Sequence, residues 1–132
     1  VGDMHCPAHI KYAGRKMDFP VMIEDWYHNY QQMSFHLVWD NGIFQFNRSW
    51  SETEWAEELD KASKSEIEAV TNGSPRDWLH DAAVRSESQF DWAVPGKKLD
   101  QDFINYALPL QESLLRDAGY RLAKVLNDIF AK

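Results

Sequence analysis

The chain has 132 residues, and 21 acidic against 14 basic side chains give a formal charge of −7 and a pI near 5.1. Hydrophobic residues at 44%, six tryptophans among them, exclude a disordered chain and suffice for one domain with a core. The acid excess excludes nonspecific coating of DNA, so any work on nucleic acid would need bound metal ions to supply local positive charge.

Residues 2–8 read as the last turn of a helix or a helix junction, because Pro7 disrupts a helix interior. Phe19 to Ile23 reads as a short strand, and Pro20 argues for an edge position. Trp26-Tyr27-His28-Asn29-Tyr30 is a polar-aromatic loop or hairpin. From Met33 helical signals take over: Phe35, Val38 and Trp39 recur at helical spacing, and Asn41-Gly42 predicts a stop. Ser51-Glu52-Thr53-Glu54 and Ser63-Lys64-Ser65-Glu66 both carry the capping-box pattern. They predict helices to about Lys61 and Thr71. Ser74-Pro75 starts another, with Trp78, Leu79, Ala82 and Ala83 as its apolar face. Val94-Pro95-Gly96 breaks the run, and Asp100 caps a helix through about Ala107. Leu110, Leu114, Leu115, Ala118, Leu122, Val125, Leu126, Ile129 and Phe130 then form one broad stripe, read as core packing. The fold class is mainly α with one small β-hairpin.

Two segments concentrate metal-binding groups: Asp3, His5, Cys6 and His9, then His36 and Asp40. His36 and Asp40 are four apart, which puts both on one face of a helix. Both can then reach one zinc ion at about 2.0–2.2 Å. Alone, the spacing favours a hydrogen-bonded His–Asp pair over a metal site. Asp3, His5 and His9 are not separated by spacing, and Pro7 weakens a regular helix through both histidines. Cys6 is read as a small buried side chain rather than a ligand or nucleophile. As the only cysteine it excludes an internal disulfide and a cysteine zinc cluster. His28 and His80 have no ligand partner at useful spacing. The acidic run Glu52-Glu54-Glu57-Glu58-Asp60 reads as a solvated helix face. No stretch approaches the roughly 18 apolar residues of a membrane span, so no membrane partner is expected.

Three motifs in order then carry a resemblance. Val1-Gly2-Asp3-Met4-His5-Cys6-Pro7-Ala8-His9 resembles the G-D-[IM]-H-x-P-x-H segment of the S1/P1 nuclease family. Ser34-Phe35-His36-Leu37-Val38-Trp39-Asp40 is similar to its [NS]-[LFY]-H-x-V-W-D segment, and Ala118 to Asn127 to its closing A-G-x-R-L-A-x-x-L-N. Trp78 and Tyr106-Ala107-Leu108-Pro109 also fit. The resemblance implies the helical S1/P1 nuclease and phospholipase C-like fold, here truncated. It implies three zinc ions, a close pair and a separate one, and hydrolysis of single-stranded DNA or RNA and 3′-nucleotides to 5′-phosphate products. Carried over by residue, His9, His36 and Asp40 hold the separate zinc. Asp3 is the catalytic carboxylate bridging the pair, and His5 is no ligand. By the same resemblance, residues 1–132 form the C-terminal half of a single domain, and the missing N-terminal half is its partner. At most one well-formed zinc site is expected, and the half alone is expected to be inactive. The family's D-x-G-G-N stretch is replaced by Arg15-Lys16-Met17-Asp18-Phe19-Pro20, near where the family binds the base. A secreted or periplasmic setting is implied, with no signal peptide in this chain. The rival readings are a non-catalytic helical binding module on the same scaffold and a zinc phospholipase C-like enzyme.

Overall fold

The structure is a computed structural model and describes residues 1–131. Two 3-10 turns, Asp3–His5 and Pro7–His9, form a junction. Cys6 between them is extended, and Pro7 takes the first position of the second turn, where its missing N–H costs nothing. A hairpin follows, with β1 over Pro20–Glu24 and β2 over Tyr30–Ser34. Its register runs from Pro20 opposite Ser34 to Glu24 opposite Tyr30. The short β3, Lys98–Leu99, pairs parallel to β1 and gives the order β2-β1-β3.

β1 is therefore the central strand, which corrects the edge expectation for Pro20. Proline is admitted because it opens the strand, where no ladder donor is needed. Val21 and Ile23 are fully buried, while Pro20, Met22 and Glu24 are wholly or partly exposed, as period-2 alternation requires.

Helix follows the hairpin without a loop. Ser34 ends β2 and caps α1, Phe35–Leu37, its Oγ accepting from Leu37 N–H at 3.2 Å. A π-helical turn, Val38–Gly42, continues into α2, Ile43–Asn47. Asn41-Gly42 is thus no stop: the chain widens there by one residue per turn and stays helical. The helices α3 (Glu52–Leu59), α4 (Lys64–Thr71) and α5 (Pro75–Ser86) each begin on a formed capping box at Ser51, Ser63 and Ser74. The short α6, Gln89–Trp92, precedes β3.

The last helix, α7, runs unbroken from Gln101 to Phe130, with Pro109 inside it. The expected pair of helices is one element of about 45 Å. Its first half packs Phe103, Ile104, Ala107 and Leu108 against Val21, Ile23, Phe35, Trp39 and Leu99. Ile10, Ala82 and Leu114 form a smaller cluster beside it. Beyond Ala118 the expected core stripe departs from the core: Leu122, Leu126, Ile129 and Phe130 lie exposed, Phe130 at 76%. Leu79 of α5 is exposed as well. Among the described residues no helix is long and apolar enough to cross a membrane.

Candidate metal centre

Three elements bring the site together. The second 3-10 turn carries His9, α1 carries His36, and the π-turn carries Asp40. His36 is held by its own backbone, whose N–H donates to Met17 O at 3.1 Å, while Phe35 N–H donates to Phe19 O at 2.8 Å. Asp40 follows Trp39, whose ring is fully buried against Phe35 and Phe103. The candidate side chains thus reach solvent from a packed floor.

The Asp40 carboxylate is the point of convergence. Its Oδ1 lies 3.0 Å from His9 Nε2 and its Oδ2 lies 3.2 Å from His36 Nε2. The two imidazole rings sit 5.1 Å apart, centre to centre. Asp3 Oδ1 lies 2.8 Å from His9 Nδ1, so Asp3 stands behind His9 rather than beside Asp40. A neutral imidazole carries one N–H and cannot donate to two carboxylates. A doubly protonated ring, or a cation between His9 Nε2 and Asp40, satisfies both carboxylates. The donor set of two imidazoles and a carboxylate is one that zinc accepts, with an open position left over. The donor atoms of Cys6, His9 and Asp40 lie within 4.8 Å of one another, while His36 meets the second Asp40 oxygen from outside that group, so the residues around Asp40 fit a metal ion of the kind the family resemblance implies.

Cys6 adds a sulfur to the cluster. Its thiol donates to Asp40 Oδ1 at 3.5 Å, and the Cys6, His9 and Asp40 donor atoms all lie within 4.8 Å of one another. Burial, with the negative charge of Asp40 beside it, pushes the thiol up to about 11. The thiol is thus protonated and inert as a nucleophile in this state.

His5 lies outside the cluster and is buried. Its Nε2 meets Arg121 Nη1 at 2.8 Å, and its Nδ1 meets Val1 O at 2.8 Å. Arg121 also donates to Val70 O and to Asp81, which Arg85 bridges to Asp117. A second residue that sequence reasoning passed over is Gln111, buried in α7, whose Nε2 donates to Trp39 O. The available signal for both was a polar side chain standing inside an apolar helical stripe. His28 is exposed and pairs with Glu24 at 2.6 Å, and His80 is exposed. Neither approaches the centre.

A mainly helical domain with a small sheet and a histidine–carboxylate cluster at a strand-to-helix junction defines the class. Within it, the S1/P1 Nuclease family model matches residues 1–131, and the chain belongs to that family. It is 31% identical to Endonuclease 5 of Arabidopsis thaliana over 149 residues, covering 99% of this chain and 48% of that protein. Endonuclease 4 and Endonuclease 2 of the same plant are 26% and 24% identical over 99% and 98% of this chain. The chain spans about half the length of these curated relatives.

Proposed function

We propose that this chain is the C-terminal half of a zinc-dependent phosphodiesterase domain. Its substrates are single-stranded DNA or RNA and 3′-nucleotides, and its products carry 5′-phosphate. The observation that carries this reading is the convergence of His9 and His36 on the Asp40 carboxylate, in a chain of the S1/P1 family. His9, His36 and Asp40 would hold zinc, and the chemistry it would supply there is charge neutralisation on the leaving-group side of the phosphodiester. That charge is needed, because an acidic chain otherwise repels a polyanion.

The protein groups orient the site. Asp3 fixes the His9 ring through Nδ1 and leaves Nε2 to face the metal. The Asp3 carboxylate is otherwise exposed, and in this reading it also serves the catalytic ion pair whose other ligands belong to the remaining half of the domain. That half also covers the exposed apolar face of α7. The whole acts in a secreted or periplasmic setting.

Zinc titration of the chain, with hydrolysis of single-stranded DNA measured alongside, tests the reading. One weakly held zinc per chain is expected, and His9→Ala, His36→Ala and Asp40→Ala should each weaken it by about tenfold or more. Little or no hydrolysis is expected from the chain alone. Strong hydrolysis by it would refute the incomplete-site reading, and absence of zinc binding would refute the metal site.

A further inference from the structure

The π-turn that carries Asp40 is braced from outside its own helix. In an α-helix the Trp39 carbonyl accepts from the N–H four residues on, which is Ile43. Here the Ile43 N–H donates to Val38 O instead. The widened turn has taken that donor from Trp39. Gln111, 72 residues along the chain and on α7, points its Nε2 at the same carbonyl. Both partners are buried, with Gln111 8% exposed and Trp39 fully buried. The Trp39 carbonyl belongs to the peptide plane that leads into Asp40, so whatever holds that oxygen holds the direction in which Asp40 leaves the turn.

We propose that Gln111 is a positioning residue for the metal site. Its side-chain amide stabilises the π-turn and thereby aims the Asp40 carboxylate between His9 and His36. The inference rests on the metal-site reading given above and deepens it.

Three further facts support it. The role needs a donor, and a glutamine amide has one where a glutamate or methionine of similar length has none. Gln111 lines a cavity of about 230 Å³ together with His9, Trp39 and Asp40, so it stands beside the ligands rather than elsewhere on α7. Its Oε1 has no hydrogen-bond partner in the protein. The contact to Trp39 is thus made through the N–H side of the amide.

Cobalt(II) titration of the whole chain, followed by zinc competition, tests this. The visible cobalt bands report ligand geometry without any need for activity. Gln111→Met keeps the volume and removes the donor. It should weaken zinc binding by about tenfold, the range seen when a group supporting a ligand is lost, and alter the cobalt bands. Leu99→Ala, a buried site on β3, should lower stability while leaving the bands unchanged. A nitrogen-15 spectrum of the unmutated protein is the second measurement. The Gln111 side-chain amide should exchange slowly and shift on zinc addition. Equal affinity and identical bands in Gln111→Met, or fast exchange of that amide, would overturn the role of Gln111 alone. Absence of cobalt binding by the unmutated chain would overturn the metal site and this inference together.

Discussion

Arg121 can only donate hydrogen bonds, so the ring nitrogen it meets on His5 must accept. His5 Nδ1 then carries the proton and donates it to Val1 O. The ring is thus a neutral spacer between a buried cation and the backbone, and burial holds its pKa below the usual imidazole value. Spacing left Asp3, His5 and His9 equivalent, and the resemblance removed His5 from the ligands. The network supplies the physical role that neither one gave. Arg121→Met should strand His5 Nε2 and Val70 O and remove one partner of Asp81. A loss of about 1–3 kcal/mol is expected, mainly from the buried acceptors left unpaired, since the half-exposed Asp81 keeps Arg85 as a partner; it is read from urea denaturation. Asp81 adds a pH dependence. Burial pushes its carboxyl up, but hydrogen bonds from Arg121 and Arg85 outweigh that and hold it below its ordinary value. The unfolded chain then binds the proton first. The stabilisation is full above the unfolded value of about 3.9 and is lost as pH falls through the lower folded value. Urea midpoints of the wild type and Asp81→Asn should differ at pH 7 and converge toward pH 3.

At the scale of elements, the readable parts were those whose signal is local. Ser51, Ser63 and Ser74 each cap a helix where the pattern put them, and each has its acidic partner three residues on. Ser74→Ala should lower stability by about 1 kcal/mol, measurable as a drop in melting temperature. The misread parts were those decided by distant partners. Asn41-Gly42 stays helical because the turn widens and packs its Trp39 against Phe35 on one side and Phe103 of α7 on the other. Pro109 does not end α7, since residues on both sides of it are anchored: Phe103, Ile104 and Ala107 before it and Leu114 after it. β3 has two residues and no periodicity to detect, and it exists because Met22 and Ile23 offer it an edge. The site shows the same division. The His36–Asp40 spacing was legible along the chain, while the contact of Gln111 with Trp39 joins residues too far apart for a pattern to register.

For the whole molecule, the apolar face of α7 is the main unfinished surface. Leu115, Leu122, Leu126, Ile129 and Phe130 are all exposed. A groove of about 380 Å³ between α3 and α7 adjoins them, walled by Trp55, Leu59, Leu115 and Tyr120. Periodicity identified the apolar stripe, but burial depends on what lies opposite it, and half of the stripe is exposed among the described residues. Contiguous apolar surface of this kind drives association. The isolated chain should therefore sediment with a weight that rises with concentration. Leu122→Glu combined with Leu126→Glu should keep it monomeric while leaving zinc binding unchanged. Sedimentation of the double variant as a mixture identical to the wild type would assign the association to another surface.

The tie between His5 and Arg121 spans 116 positions, and it has a bearing on biosynthesis. A chain made from its N-terminal side exposes His5, His9, His36 and Asp40 long before Gln111 and Arg121 exist. During that interval the donors are present but nothing fixes their geometry. Closing so long a loop is an entropic cost met late, when the last helix docks. On the proposed metal site, capture of the ion should then be the final event of folding rather than its seed, and a nascent or clipped chain lacking α7 should compete poorly for zinc in a chelator titration.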